Sequence, residues 1–528
     1  MSNLFKVSLM IALVTILSKF AGFFRDVMIA KSYGATLVSD AYFYASQFPA
    51  LAIILLGGLG GPFHTATVAV FSKLIPNIKE KPSRDVQKTF NSFVTLTGIF
   101  FALLAILFWA FAPQIIDIIA ANGSEELRTL AAQHLKIMSP IILIGGVIGI
   151  FYGISNVYKE FFFTSLSPAI LSTVVIFSLL VFPIDPFGYL LVWATLVGAL
   201  GQLLFQLPVF FKAGFRYLPT FEFKSPEIKK VGEILFPAIL GTTIGQINIY
   251  IDMFFTSSLQ EGAWTAIAYA NRVFQFPVGI LITAMLVPLF PMFSQFVAKQ
   301  DFSSLRKYFH DGLNSLFFLA FYLTMFILIF AQDIVVVLFQ RGNFDTTATL
   351  MVTEALFFIT LSLIPYMARD TITRIFYAFD DSKTPFIVAM CSVVIKILMN
   401  LIFVKALGIG GIMLSTTLVT IFNATLLSLL IRKKKIALGF KSFGMPLIKM
   451  TGATMLTAGI CLGMNYLLTL LHPEATWLFL FVKLAILFSF GGLCYFVFSV
   501  LLKLSIAKQV VRKLLSRLNL DKKKDLSC

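Results

Sequence analysis

Long apolar runs constrain this chain more than any other feature of its sequence. Many of them reach the roughly 20 residues that an α-helix needs to cross a bilayer. Charged residues make up only 13% of the chain, whereas soluble domains carry about 25%. The sequence therefore predicts an all-α polytopic membrane protein and excludes a soluble fold.

We count about fourteen such spans, and several exceed a straight crossing, which indicates tilt or extension beyond the membrane. The predicted spans are 5–32, 38–74, 89–112, 138–157, 166–183, 187–212, 229–258, 263–297, 311–331, 350–368, 385–405, 408–431, 447–471 and 477–503.

Basic residues lie mainly in alternate connections between these spans and in the stretch 503–524. By the positive-inside rule, those connections face the cytoplasm. Both termini are then cytoplasmic, which requires an even number of spans. The location of the net charge of +17 indicates contact with anionic lipid and argues against nucleic acid as a partner.

Short sequence matches recur in the same order at an offset of about 220–228 residues, as in inverted or parallel repeats of transporters. Asp26 is matched by Asp252, and residues 47–49 (QFP) are matched by residues 275–277 (QFP). Because each copy has six predicted spans, both copies keep the same orientation. We therefore predict two pseudo-symmetric six-helix lobes followed by two more helices. The predicted parts are an N-terminal lobe (1–220), a C-terminal lobe (221–435), spans 13 and 14 (436–505) and a basic cytoplasmic tail (506–528).

Charged residues interrupt the first span and the start of the second, at Lys19, Arg25, Asp26 and Asp40. A charge near the bilayer centre costs about 2.5–3.5 kcal/mol on insertion scales, so it usually faces a partner or a water-filled cavity. Within the first span, helical spacing groups Lys19, Arg25 and Asp26 with Ser18 and Gly22 into one polar sector, with a glycine at which the helix can bend. The alternative is a helix end whose charges reach the lipid headgroups.

Glycine and proline interrupt the second span of each predicted lobe. In the first lobe the sequence GGLGGP contains Gly57, Gly58, Gly60 and Gly61; in the second lobe Pro277 takes the corresponding role. Such residues weaken a helix, and the backbone groups they free are tolerated only against protein or water. The sequence predicts hinges here, with close helix packing as an equal alternative for the glycines.

Arg272 lies about ten residues into its span, with no acid within one helical turn. Pairing with an acid on another helix is one interpretation. The other is anion binding together with Lys19 and Arg25, because guanidinium and ammonium groups suit a phosphate or pyrophosphate.

Asp252 and Lys396 are candidates for buried groups of opposite charge, and Asn400 lies one turn beyond Lys396. We interpret them as a structural ion pair. The alternative is a site at which a proton or cation acts on the conformation.

Signals for enzymatic chemistry are weak. The four histidines are scattered, no metal-binding spacing or phosphate-binding loop occurs, and no nucleophile motif stands out. His64 lies beside the glycine break, but one polar residue is little evidence. We therefore expect a protein that is not an enzyme and holds no metal.

Five stretches in order resemble the MurJ (MviN) family of lipid II flippases, within the multidrug/oligosaccharidyl-lipid/polysaccharide exporter superfamily. They are SKFAGFFRD at 18–26, YGA…SDAY from 33, YANRVFQFP at 269–277, LFQRGNFD at 338–345 and RIFYAFDDSKTP at 374–385.

The resemblance implies fourteen spans, two lobes and alternating access across the bacterial inner membrane. The implied cargo is the undecaprenyl-pyrophosphate-linked peptidoglycan precursor, and spans 13 and 14 would hold its lipid tail. Family cavity residues map onto Lys19, Arg25, Asp26, Asp40 and Arg272. A monovalent-cation site resembling that of the family falls on Asp252, Asn400 and Thr416.

Two positions depart from the family pattern. Ile53 and Ile54 stand where family members often carry basic residues, and Lys396 stands where a neutral cation ligand is expected. The Lys396 ammonium could take the cation's place beside Asp252, which would remove the need for sodium.

These observations together favour a flippase for lipid II, monomeric and driven by a monovalent cation or the membrane potential. The alternatives are an exporter of another lipid-linked oligosaccharide or a drug antiporter on the same fold. A membrane-embedded glycosyl- or phosphotransferase would need a larger extramembrane loop than the longest loops of this chain, which are about 25 residues, and ranks last.

Overall fold

The computed structural model describes residues 3–58, 60–78, 80–222, 226–434, 438–471 and 476–512. Every regular element within these residues is helical, which confirms the predicted all-α class. Most of the predicted basic tail, residues 513–528, lies outside the described residues.

The chain divides into two compact units. Unit 1 comprises Met1–Ala268 and Arg341–Ala348, and unit 2 comprises Tyr269–Gln340 and Thr349–Cys528. This division by compactness does not follow the lobe boundary at residue 220, which rests on the sequence repeat and stays a prediction.

Eleven helices begin and end in unit 1. They are α1 (Asn3–Tyr33), α2 (Leu37–Ala50), α3 (Pro62–Leu74), α4 (Arg84–Ala110), α5 (Ala112–Ile119), α6 (Glu125–Met138), α7 (Pro140–Val157), α8 (Phe161–Val181), α9 (Tyr189–Leu204), α10 (Leu207–Lys212) and α11 (Pro226–Thr256).

Of the remaining eight helices, the first and the fourth start in unit 1 and continue into unit 2, and the others lie in unit 2. They are α12 (Ala263–Leu281), α13 (Val287–Ala298), α14 (Phe302–Phe339), α15 (Thr346–Thr360), α16 (Leu363–Ala378), α17 (Lys383–Leu430), α18 (Gly444–Leu471) and α19 (Trp477–Leu501).

Nine helices of the described residues are long and apolar enough to cross a membrane, or ten if α15 and α16, which meet at a 46° bend, form one broken span. Helix α17 alone contains two predicted spans, 385–405 and 408–431, separated where Gly408 adopts a left-handed φ of +51°. The predicted total of fourteen is not confirmed by this count and stays a prediction.

Aromatic packing fills the interior of unit 1. The rings of Phe90, Phe210 and Phe215 lie within 4.7–5.4 Å of one another, centroid to centroid. They join α4, α10 and the turn that follows α10. Burying such rings is favourable because they remove large apolar areas from contact with polar groups and pack at edge or offset angles.

Unit 2 attaches its last two helices through α14, which packs against both α18 and α19. The indole of Trp477 donates a hydrogen bond to the Val337 carbonyl at 2.9 Å. The Lys483 ammonium lies 3.0 Å from the Asp333 carboxylate. Lys483 is buried and Asp333 is partly exposed, so the pair compensates a lysine charge that would otherwise be buried alone.

Several helices start with a side-chain cap. Ser83, Ser124, Asp301 and Thr476 each accept a hydrogen bond from an amide in the first turn that follows. At Asp301, in the turn before α14, hydrogen bonds from Ser304 and Ser303 lower the pKa of the carboxyl to about 2. The caps satisfy amides that have no partner within the helix.

The predicted glycine break is present in the second span. Helix α2 passes into a π-helical turn at Leu51–Leu56, and α3 begins only at Pro62. A Cβ atom on Gly57 would collide with the carbonyl oxygen of Gly145 in α7. The close-packing interpretation therefore describes this contact. Hinge motion at the same place stays a prediction.

A matched pair of glycine substitutions tests this packing. A Cβ on Gly149 of α7 would lie 2.8 Å from both the Gly57 Cα and the Phe63 Cβ. One on Gly98 of α4 would meet nothing within 4 Å. Overpacking costs about 1–3 kcal/mol, while alanine favours a helix by about 1 kcal/mol over glycine. We expect Gly149→Ala to lower the melting temperature in detergent and Gly98→Ala to leave it equal or higher. Equal melting temperatures for both variants would contradict the close contact.

Candidate functional site

The polar sector of α1 centres on Arg25 and Asp26. The Arg25 guanidinium donates to Asp26 Oδ1 from Nε at 3.0 Å and from Nη2 at 2.8 Å. Asp26 is buried and Arg25 is half-buried, and both make further interactions. Two hydrogen bonds to one carboxylate fix the direction of the guanidinium, because its donors are held in a planar fork.

Lys19 and Gly22 lie one to two turns before this pair on the same helix. Lys19 is exposed, and Gly22 is partly buried, with Ser172 Oγ 3.9 Å from the place of a Cβ. Lys31, near the end of α1, accepts a hydrogen bond at its carbonyl from the Asn343 amide at 2.9 Å. The segment 341–348 is thereby joined to α1 within unit 1.

Asp40 has a different set of partners. Its carboxylate accepts hydrogen bonds from the Gly262 amide at 2.8 Å, the Thr265 amide at 2.7 Å and the Thr265 hydroxyl at 2.7 Å. Gly262 and Thr265 flank the first residue of α12. A carboxylate of α2 therefore caps the start of a helix more than 220 residues away, where free amides and the helix dipole favour negative charge.

The contact continues along α2 at helical spacing. Tyr44 donates from its hydroxyl to the Met253 carbonyl at 2.8 Å, and Phe48 stacks on Tyr250 with ring centroids 5.3 Å apart. Asp40, Tyr44 and Phe48 are four residues apart, so they share one face of the helix. This face, which we call the Asp40 junction, joins α2 to the end of α11 and the start of α12.

Sequence reasoning missed the partners in this junction. Gly262, Thr265 and Tyr44 were not among the candidates. The spacing of Asp40, Tyr44 and Phe48, with a glycine just before a helix, was an available signal. It could not reveal which helix this face meets.

Asp252 and Lys396 lie in different units. Asp252, on α11, is buried, and its carbonyl accepts a hydrogen bond from the Thr256 hydroxyl at 2.6 Å. Lys396, on α17, donates to the Thr416 hydroxyl and is 2% exposed. Asp252, Lys396 and Asn400 also make further interactions.

Of the predicted group Lys396, Asn400 and Thr416 in unit 2, Lys396 and Thr416 are thus in direct contact. Lys396 and Thr416 lie on opposite sides of the break at Gly408, and that break lets the two halves of α17 face each other. Asn400 is fully buried one turn from Lys396. An ammonium bound to Thr416 occupies one of the oxygen ligands that a monovalent cation would need.

Arg272 and Pro277 both lie on α12 in unit 2. Arg272 is exposed and makes interactions of its own, and Pro277 is buried within the helix. Five residues after Pro277 a π-helical turn begins, at Ile282–Leu286. Both second spans therefore contain a π-helical turn near their predicted break, although whether they bend in action stays a prediction. Within the described residues no cluster of three metal-ligating side chains occurs.

Comparison with known proteins gives consistent results. The family model described as lipid II flippase MurJ matches residues 29–502. A probable lipid II flippase MurJ of Synechocystis is 32% identical over 461 residues, covering 85% of each chain. The lipid II flippase MurJ of Burkholderia cenocepacia is 28% identical over 467 residues, covering 87% of this chain and 89% of the relative.

Solved structures agree in fold. A lipid II flippase MurJ in an inward closed conformation superposes with a TM-score of 0.75 at 23% identity, covering 94% of this chain and all of that one. An inward-facing MATE multidrug transporter of the MOP superfamily gives a TM-score of 0.61 at 14% identity, covering 81% and 98%. The sequence resemblance is confirmed: since the family model covers most of its length, the chain belongs to the MurJ family of lipid II flippases.

Proposed function

We propose that this chain moves lipid II, the undecaprenyl-pyrophosphate-linked precursor of peptidoglycan, across the bacterial inner membrane by alternating access. The observation that carries the proposal is the family match over residues 29–502. Family membership and the many apolar helices make the chain a multi-pass inner-membrane protein. We add that it acts as a monomer, with both termini cytoplasmic, and catalyses no chemical step.

The pyrophosphate is the part of the cargo that most needs protein charges in an apolar medium. We assign its binding to Lys19, Arg25 and Arg272. Asp26 supports this role because it holds the Arg25 guanidinium with two hydrogen bonds, and a fixed arginine binds phosphate oxygens in two-point contacts. Spans 13 and 14, at α18 and α19, would hold the lipid tail.

The Asp40 junction would act as a gate on the periplasmic side, the side to which the basic-loop topology assigns residues 257–262. Alternating access requires contacts that form in one state and break in the other. Hydrogen bonds to a helix N-terminus suit this role because water can replace each of them when the contact opens.

The driving force is a separate proposal. Moving one unit charge through 100 mV is worth about 2.3 kcal/mol, so the membrane potential can drive the return of an unloaded, positively charged site. We propose that the Lys396 ammonium replaces a bound monovalent cation at the positions of Asp252, Asn400 and Thr416. Its hydrogen bond to Thr416 supports this replacement.

The cargo assignment is tested by depletion in cells with no second flippase. Lipid II should then stay inaccessible to an externally added probe until the wild-type gene is restored. Arg272→Ala should fail to restore accessibility at unchanged expression, because a phosphate ligand is lost. Lys307→Ala, which removes an exposed base in the second turn of α14, serves as the control and should restore it. Lipid II that is accessible after depletion would contradict the cargo assignment. Full rescue by Arg272→Ala would contradict the role of Arg272 in binding phosphate.

The gate is tested by Asp40→Asn. The amide keeps one acceptor but turns an NH2 group toward an N–H donor, so at least one hydrogen bond to Gly262 or Thr265 is lost. An unsatisfied buried group costs about 1–3 kcal/mol, and we expect flipping in proteoliposomes to slow about tenfold or more. Thr265→Val removes the hydroxyl contacts to Asp40 and Ser39 but keeps both amide donors to Asp40, so it should slow flipping less. Slower flipping by Thr265→Val than by Asp40→Asn would count against the capping role of Asp40.

The cation proposal is tested by replacing sodium with choline on both sides of the proteoliposomes. We expect the flipping rate to change by less than about twofold, because the Lys396 ammonium would already supply the charge of the cation. A tenfold change in rate would correspond to about 1.4 kcal/mol. Strong sodium dependence that disappears in Asp252→Ala would show that Lys396 does not replace the cation.

A further inference from the structure

His64 lies in the break of the second span. It is the third residue of α3 and reaches back to the turn that separates α3 from α2. The Gly60 amide points at His64 Nδ1 over 3.1 Å. On the other side of the ring, Nε2 is 2.6 Å from the terminal amide of Asn156, near the end of α7.

The backbone fixes the state of the ring. The Gly60 N–H can only donate, so His64 Nδ1 must be an unprotonated acceptor. A neutral imidazole then carries its proton on Nε2. Because Nε2–H can only donate, it must face the oxygen of the Asn156 amide and not its nitrogen.

The surroundings of Asn156 fit this orientation. With the amide nitrogen toward the ring, Asn156 Oδ1 is a buried oxygen without a hydrogen-bond partner among the described residues. Amide orientation is assigned from the network and is not read from atom positions. Turning the amide gives that oxygen the Nε2–H donor.

The Gly60 amide needs this acceptor. Gly60 has a left-handed φ of +82°, and its N–H stands in the break, outside the ladder of either helix. Gly60 is exposed, and an exposed amide that faces lipid has no water to bond to. The contact is similar to one half of a capping box, in which a glutamine or glutamate at the third helical position accepts from the N-cap amide. Here the donor is one residue before the N-cap, Gly61.

We propose that His64, as the neutral Nε2–H tautomer, is a positioning residue that holds the break of the second span and ties it to α7 through Asn156. The ring satisfies the amide freed by the break and fixes the angle at which α3 leaves it. A protonated ring would direct a second N–H at the Gly60 N–H and lose this contact. This role in transport rests on the proposed flippase function, whereas the tautomer does not.

The transport role is tested with the full-length protein in proteoliposomes that contain lipid II. His64→Gln keeps an acceptor for Gly60 and a donor for Asn156, and we expect its flipping rate to stay within about threefold of wild type. His64→Leu fills similar space but can do neither, and we expect about a tenfold loss, because both side-chain hydrogen bonds at the break disappear together. Asn156→Leu, which removes the outer partner, should fall between them. Equal rates for the Leu and Gln variants of His64 would overturn the positioning role.

The tautomer is tested without any cargo. Histidine-selective ¹⁵N labelling gives signals from four residues, and the His64→Gln protein identifies the signals of His64. At neutral pH we expect a protonated, pyrrole-type Nε2 and an unprotonated, pyridine-type Nδ1. The opposite tautomer, or an imidazolium, would overturn the proposal. If wild type flips no lipid II, the proposed function fails while this spectrum still decides the state of His64.

Discussion

The structure depends on one constraint: each backbone amide and carbonyl freed where a helix starts or breaks inside a membrane needs a partner. At two such places the partner is a side chain from a distant part of the sequence. Asp40 accepts from the two amides at the start of α12. Glu354 accepts from the Gly410 amide, just after the break in α17, at 3.0 Å. Helices α12 and α17 are thereby each joined to another helix at a place where their own backbone hydrogen bonds are interrupted.

The same contacts connect stability with movement. A helix that is continuous through the membrane has little reason to bend, whereas a broken one has two arms whose angle depends on a few hydrogen bonds. The π-helical turns at Leu51–Leu56 and Ile282–Leu286 lie in the second span of each predicted lobe. A transporter without a chemical step needs such elements, because its energetics lie entirely in the difference between two packings.

Several charged side chains in the spans also have a polar or charged partner. Arg25 is held by the adjacent Asp26, Lys483 by Asp333 and Lys396 by Thr416. Pairing keeps the cost of each charge low enough for the helix to stay in the membrane. An arginine whose acid neighbour orients it can also meet an anionic ligand, which links the stability of α1 to its proposed task.

The sequence predicted the helical class, the break at residues 57–61 and the polar sector of the first helix that contains Arg25 and Asp26, because these depend on local composition and spacing. It did not predict the partners of Asp40, since Gly262 and Thr265 are more than 220 residues away and no local pattern names them. It also gave His64 little weight, because a single polar residue acquires meaning only when the Gly60 amide and Asn156 are placed around it. Two predicted spans, 385–405 and 408–431, form the single helix α17, because Gly408 turns the chain without a connecting loop.

Lipid II transport by this chain can be measured by reconstituting the purified protein into liposomes that contain lipid II. The measurement is the fraction of lipid II that an added, membrane-impermeant probe reaches over time. We expect this fraction to rise well above that of protein-free liposomes for lipid II, and not for a phospholipid carrying the same reporter. A fraction equal to that of protein-free liposomes, or equal movement of both lipids, would contradict lipid II transport by this chain.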